Sequence, residues 1–210
     1  MGFRGSKTNT SSGSLYEEFR NGHVQDFNST SGKVGKFARE DVVITSLFSG
    51  CGATYISAAI ANYLVDVRRG RTVRVGDAKD EYITALLRSN IMQKTYPVEI
   101  QELYNICDCV VQDVGSYYSL DKTKSTALSR ATTKIIVCHA DDDSLKLLAS
   151  FARERTDAER FFYIFNVLPD EWRRKVYKTM NIYEAYCLPL FNAKSPDKEV
   201  KKILKRIFGR

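Results

Sequence analysis

The sequence predicts an α/β domain with a doubly wound, mostly parallel sheet flanked by helices. Two observations carry this. From Asp41 onward, apolar runs of four to seven residues alternate with longer segments whose apolar residues recur at helical spacing. The first run, Val42-Val43-Ile44-Thr45-Ser46-Leu47-Phe48, is continuous and rich in β-branched residues, the pattern of a strand covered on both faces.

The elements follow in order. After the first strand a glycine-rich turn leads into a helix over 55–67, and residues 72–75 form a short second strand. Residues 80–88 read as a helix, 107–112 as a strand, and 134–139 as a strand centred on Ile135-Ile136-Val137-Cys138. A helix over 141–155 opens with an Asp run suited to capping its free amides. A strand at 161–167, a helix at 170–180, a short strand at 183–188 stopped by Pro189, and a helix at 197–208 complete the chain. No internal repeat is found. Residues 1–37 read as a flexible tail of Ser, Thr, Gly and Asn, in which a short element near 15–19 is an open alternative, and residues 38–210 as the domain. The Met1-Gly2 start with Ser6 is a short match to a myristoylation motif, and a flexible leader is the plainer reading.

The turn Phe48-Ser49-Gly50-Cys51-Gly52-Ala53-Thr54 is placed where chemistry is expected. Glycines between a strand and a helix let backbone amides approach a phosphate, and the helix turns its positive dipole end to the same place. A tight turn that needs positive φ and binds nothing is the plain alternative.

The order of elements and five short motifs resemble the ParA/MinD family of P-loop ATPases, over about residues 40–208. Gly50 and Gly52 match two glycines of that family's loop, and Cys51 and Ala53 complete it here. Thr54 matches the Thr that coordinates Mg²⁺. Asp77 follows the second strand as in the family's I-D-A-D-P segment, whose second Asp is Lys79 here. Cys109-Val-Val-Gln-Asp113-Val-Gly115 resembles the family's Walker B strand, so that Asp113 would hold Mg²⁺ through water. Asn166 lies where the family keeps an adenine-contacting Asn, and Pro189 at its Ile-Pro position beside the base. The residue-level alternatives stay open: Asp77 as a turn or cap, Asp113 as a strand end, Asn166 as a turn residue, Thr54 as an N-cap.

The family's two loop lysines fall on Phe48 and Ala53. Loss of that charge removes contacts to the β- and γ-phosphates and stabilisation specific to the transition state. The resemblance therefore implies a degenerate member, with ATP or ADP and Mg²⁺ as the cofactors to test and little or no turnover. Lys79 or the segment 121–124 is a candidate source of replacement charge. Degenerate loops of this kind are similar to those of TadZ-like pilus-localisation proteins. The implied role is a localisation or assembly factor that works with a protein partner, such as a pilus or secretion machine, and as a homodimer.

The C-terminal helix carries Val200, Ile203, Leu204, Ile207 and Phe208 on one face, with Lys201, Lys202, Lys205 and Arg206 elsewhere. Such a helix can lie on an anionic membrane surface, and it resembles the basic targeting helix that ends MinD-type proteins. The same stripe also suits a closing helix that packs on the sheet.

Composition bounds the remaining classes. A net charge of +7 favours anionic partners, but the basic residues are spread along the chain and no nucleic-acid-binding signature accompanies them. A nucleic-acid module is thus a lesser reading, as is an active ATPase or kinase with an altered loop. The cysteines, Cys51, Cys107, Cys109, Cys138 and Cys187, lack the spacing of a zinc or disulfide framework and read as buried free thiols of a reducing cytoplasm. No stretch approaches the roughly 20 apolar residues of a membrane span, so the expected setting is the cytoplasm, peripheral to the inner membrane face if the last helix binds lipid.

Overall fold

A computed structural model describes residues 39–77, 81–166 and 170–209. Seven strands form one sheet in which every pairing is parallel: β1 (Glu40–Ser46), β2 (Thr72–Gly76), β3 (Ile91–Thr95), β4 (Cys109–Ser116), β5 (Thr133–Cys138), β6 (Phe161–Phe165) and β7 (Glu184–Cys187). Their spatial order is β3-β2-β4-β1-β5-β6-β7. The helices between them are α1 (Ala53–Arg68), α2 (Glu81–Leu86), α3 (Ile100–Ile106), α4 (Lys122–Arg130), α5 (Asp142–Glu154), α6 (Asp170–Thr179) and α7 (Lys198–Phe208). The chain leaves β1 toward β2 on one side and passes from β4 across β1 to β5 on the other. The crevice above the carboxyl ends of β1 and β4 is therefore the switch point where ligands bind in open α/β sheets.

Alternation along the strands divides the core. Val42, Ile44, Val111, Ile135 and Val137 meet α1 and α7 on one face. Val43, Leu47, Val114, Ile136 and Cys138 meet α4, α5 and α6 on the other. Both faces of the central strands are covered, as the continuous apolar runs require. Asp121, Asp141 and Asp197 cap α4, α5 and α7, each accepting a hydrogen bond from the amide three residues on.

Three elements went unread in the sequence: β3, α3 and α4. β3 is an edge strand, Ile91-Met92-Gln93-Lys94-Thr95, with only Ile91 fully buried, so it shows no apolar run. Within α4 only Leu128 is buried, which leaves no helical stripe to find. The tail expected over 1–37 and the replacement cation expected at Lys79 lie outside the described residues.

The last helix is seated in the fold. Val200, Leu204, Ile207 and Phe208 are buried in the α1 side of the core, and Ile203 packs against it. Phe208 stacks obliquely on Tyr63 of α1. Lys201, Lys202, Lys205 and Arg206 are exposed. The stripe thus follows the packing alternative, and contact with lipid through it would require the helix to leave its seat. Among the described residues no helix is long and apolar enough to cross a membrane.

Candidate functional site

The turn after β1 is built by backbone conformation. Gly50 and Gly52 have φ of 83° and 87°, in the left-handed region that glycine enters without penalty. Gly52 is the N-cap of α1 and offers no side chain to the amides of the first turn. Those amides and the helix dipole face the crevice, which favours an anion. Gly52 is also required sterically, because a Cβ there would lie 2.4 Å from Asn166 Nδ2. Cys51 is turned inward and 1% exposed. Burial pushes its thiol up, so it offers the crevice neither a nucleophile nor a charge. Ala53, the first residue of α1, is buried, and Phe48 packs against both halves of the core.

Beneath the loop, Thr54 Oγ1 donates to Asp113 Oδ2 at 2.7 Å. Asp113 stands on β4 beside β1, where the ladder is irregular: Ile44 pairs with Asp113 but Ser46 with Ser116. Gly115, with φ of 78°, absorbs the extra residue. Its amide donates to Asp113 Oδ1 at 3.3 Å, and Thr45 Oγ1 donates to its carbonyl at 2.8 Å. The irregularity fixes the carboxylate under the first turn of α1.

The cation at this carboxylate is Arg74, from the middle of β2. Its Nη2 donates to Asp113 Oδ2 at 2.8 Å and its Nε to Ser57 Oγ at 2.7 Å. Ser57 in turn donates to the Thr54 carbonyl at 2.7 Å. The side chains of Arg74 and Asp113 are 1% and 7% exposed, so the pair is enclosed. Burial lowers the pKa of Arg74, and the adjoining Asp113 charge acts against that shift. Nη1 is buried and has no hydrogen-bond partner. It lies 2.8 Å from where a Cβ on Gly76 would stand, so glycine at 76 leaves the guanidinium its room.

A nucleotide-bound Mg²⁺ would draw on the Thr54 hydroxyl and the Asp113 carboxylate. As arranged, that hydroxyl is bonded to the carboxylate, and the carboxylate accepts from Thr54, Arg74 and Gly115. A divalent ion at Oδ2 would compete with a cation already seated there and with the Thr54 hydroxyl, so this donor set does not fit one.

The outer residues complete the crevice. Asp77, just past β2, is exposed and pairs with Lys124 of α4 at 2.5 Å. Lys124 also lies 5.4 Å from the centre of the Tyr96 ring. A Cβ on Gly115 would stand 3.6 Å from Asp77 Oδ2, which places Asp77 beside the bend at Gly115. Asn166 follows β6 with its Oδ1 buried and unpartnered. Pro189 is half-buried in the segment after β7. Tyr55 holds that segment: its hydroxyl donates to the Phe191 carbonyl and accepts from the Ala193 amide at 2.9 Å, and its ring meets Phe191 edge-on at 5.3 Å.

The structure thus gathers the 50–54 turn, Asp113 and Asn166, with Asp77 at the rim. Of the replacement charges expected from sequence, Lys124 reaches the rim. Arg74 and Ser57 were missed. The available signal was an arginine in Val-Arg-Val-Gly, inside a strand otherwise buried on both faces. Such a charge needs an interior partner.

No protein-family profile matches the chain, and no curated protein matches it. Solved structures do. A plasmid partition protein from Borrelia burgdorferi bound to AMPPNP aligns with a TM-score of 0.58 at 13% identity, over 82% of this chain and 98% of that one. The MinD cell division protein of Aquifex aeolicus aligns with a TM-score of 0.58 at 15% identity, over 81% and 98%. The MinC:MinD complex of Aquifex aeolicus contains a chain that aligns with a TM-score of 0.51 at 14% identity, over 80% and 86%. At these identities the likeness is one of fold: the chain has the α/β fold of the ParA/MinD P-loop ATPases.

Proposed function

We propose that this protein is a degenerate ParA/MinD-like protein that acts as a localisation or assembly factor, with weak nucleotide binding and little or no ATP hydrolysis. The observation that carries the reading is the charge arrangement around the turn. Ala53 and Phe48 stand where the family's lysines fall, and the nearest buried cation, Arg74, is bound to Asp113. A phosphoryl group in the crevice would meet backbone amides and a helix dipole, but no long mobile ammonium from the loop. Losing a charge-assisted contact costs about 1.5–3 kcal/mol of binding, and more in a transition state that gathers charge on the same oxygens.

Two features support retained binding of a phosphate-bearing ligand: the turn keeps its left-handed glycines, and the relative from Borrelia burgdorferi with this fold is bound to AMPPNP. A protein partner is supported by analogy with the MinC:MinD complex. The closing helix serves the core first, which makes the domain's outer surface, not its apolar stripe, the place for such a partner.

The test is isothermal titration with ATP and ADP, paired with a phosphate-release assay. Weak binding that falls in Thr54→Ala, with phosphate release at background, is the expected outcome. Steady hydrolysis that disappears in Asp113→Ala would refute the reading and establish an active ATPase with an altered loop.

A further inference from the structure

Arg74 is unusual for its position. It is among the largest fully buried side chains and sits on a central strand, with one nitrogen lacking a partner. An interior arginine is costly unless it is paired, and its pair here is the carboxylate that would otherwise face a metal ion. The geometry is organised around it. Nη2 engages Asp113 Oδ2, the same oxygen that receives the Thr54 hydroxyl. Nε engages Ser57, which ties the guanidinium to the first turn of α1 through the Thr54 carbonyl. Gly76, two residues along the same strand face, leaves space at Nη1. The unpartnered Nη1 lies beside Gly76, the last residue of β2.

We infer that the Arg74 guanidinium is the built-in cation of this site: it stands on Asp113 in place of a divalent metal, so the site excludes the metal and holds its phosphate-bearing ligand without one. The second half of the inference rests on the nucleotide-site reading above; the first half does not. A guanidinium is planar and permanently charged and carries its donors in a fixed fork, so it can satisfy a carboxylate and a hydroxyl together. Mg²⁺ requires near-octahedral oxygen ligands and surrenders its water reluctantly. It has no means of competing for a carboxylate already enclosed with an arginine. The fold would then keep one fixed positive charge at the carboxylate, one fewer than a divalent ion brings, while losing the exchangeable ion.

The experiment measures Mn²⁺ binding by loss of the free-ion electron paramagnetic resonance signal, using the full chain without nucleotide. Wild type and Asp113→Asn are expected to give the same signal, with no site saturating below about millimolar Mn²⁺. Arg74→Ser frees the carboxylate and is expected to gain Mn²⁺ affinity by about tenfold or more, and Arg74→Ser/Asp113→Asn to lose that gain. Wild-type binding that Asp113→Asn or Thr54→Val abolishes overturns the inference, as does a folded Arg74→Ser that takes up no Mn²⁺. If Arg74→Ser does not fold, the comparison of wild type with Thr54→Val still decides. Nucleotide titrations in EDTA and in Mg²⁺ are expected to agree within about threefold, and a preference for Mg²⁺ of about tenfold or more overturns the metal-free half. Absence of nucleotide binding in both media refutes the nucleotide-site reading instead, while the Mn²⁺ result continues to report on Arg74.

Discussion

Replacing Arg74 with methionine separates the energetic role of the buried pair from its chemistry. Methionine keeps much of the side-chain volume, so the cavity contribution is small. What is lost is the charge beside Asp113 and the hydrogen bond to Ser57. With side chains 1% and 7% exposed, water cannot take over either role. Breaking a buried pair by removing one partner costs about 3–5 kcal/mol. Asp113 keeps its bonds from Thr54 and Gly115, which places the expected loss near the lower end, about 3 kcal/mol. For a domain of this size that is a fall in Tm of about 6–12 °C. Arg74→Met/Asp113→Leu removes both charges together, and apolar replacements of such pairs are often neutral. The double variant leaves the Thr54 hydroxyl and the Gly115 amide without Asp113 but no longer holds an unpaired buried charge, so it is expected to be more stable than the single one. Urea unfolding followed by far-ultraviolet circular dichroism measures all three proteins. An Arg74→Met protein within about 1 kcal/mol of wild type, or a double variant at least as unstable as the single, would refute the claim that the pair is interdependent.

Other expectations follow from the same geometry. Gly52→Ala combines a left-handed backbone with a clash against Asn166 and is expected to cost about 2 kcal/mol or more in a thermal melt; a change below about 0.5 kcal/mol would mean the turn does not hold this shape. Asn62→Leu leaves the Leu86 and Ala193 carbonyls and the Arg88 amide without their side-chain partner, an expected loss of about 3 kcal/mol or more by urea unfolding. The cysteines are free and buried, and burial raises their thiols, to about 11 for Cys107 and Cys109. A raised pKa means less thiolate at a given pH, so at about pH 8 native protein should react with Ellman's reagent far more slowly than protein in denaturant. Rapid native labelling would contradict the packing of these residues. Deleting residues 198–210 strips Val200, Leu204, Ile207 and Phe208 from the core at about 1.5–3 kcal/mol each, and should leave an unfolded chain. A folded truncation that no longer binds liposomes would support the membrane reading of the helix.

The fold was legible where burial is two-sided. β1, β4, β5 and β6 announce themselves as apolar runs because helices cover both faces, α1 through its spacing, and α5 through its capping Asp run. The edge strand β3 and the thinly buried α4 carry no such pattern. At the site, the turn glycines, Thr54 and Asp113 could be placed by their order along the chain, since the turn follows β1 and Asp113 lies on the parallel strand beside it. Arg74 could not. Its partner lies 39 residues away on another strand, and only the adjacency of β2 and β4 brings them together. A local reading scores that arginine as an interruption in a strand, not as a functional group.

Tyr55 has a consequence for how the crevice can respond. It sits next to Thr54 at the start of α1 and grips the backbone at Phe191 and Ala193, in the segment that carries Pro189. Asn166, from the end of β6, stands close over Gly52. The 50–54 turn and the segments after β6 and β7 thereby meet at one helix terminus. The spacing between the 50–54 turn and the 189–193 segment therefore hangs on one tyrosine hydroxyl, and Tyr55→Phe, which keeps the ring and removes both hydrogen bonds, is the change expected to loosen it.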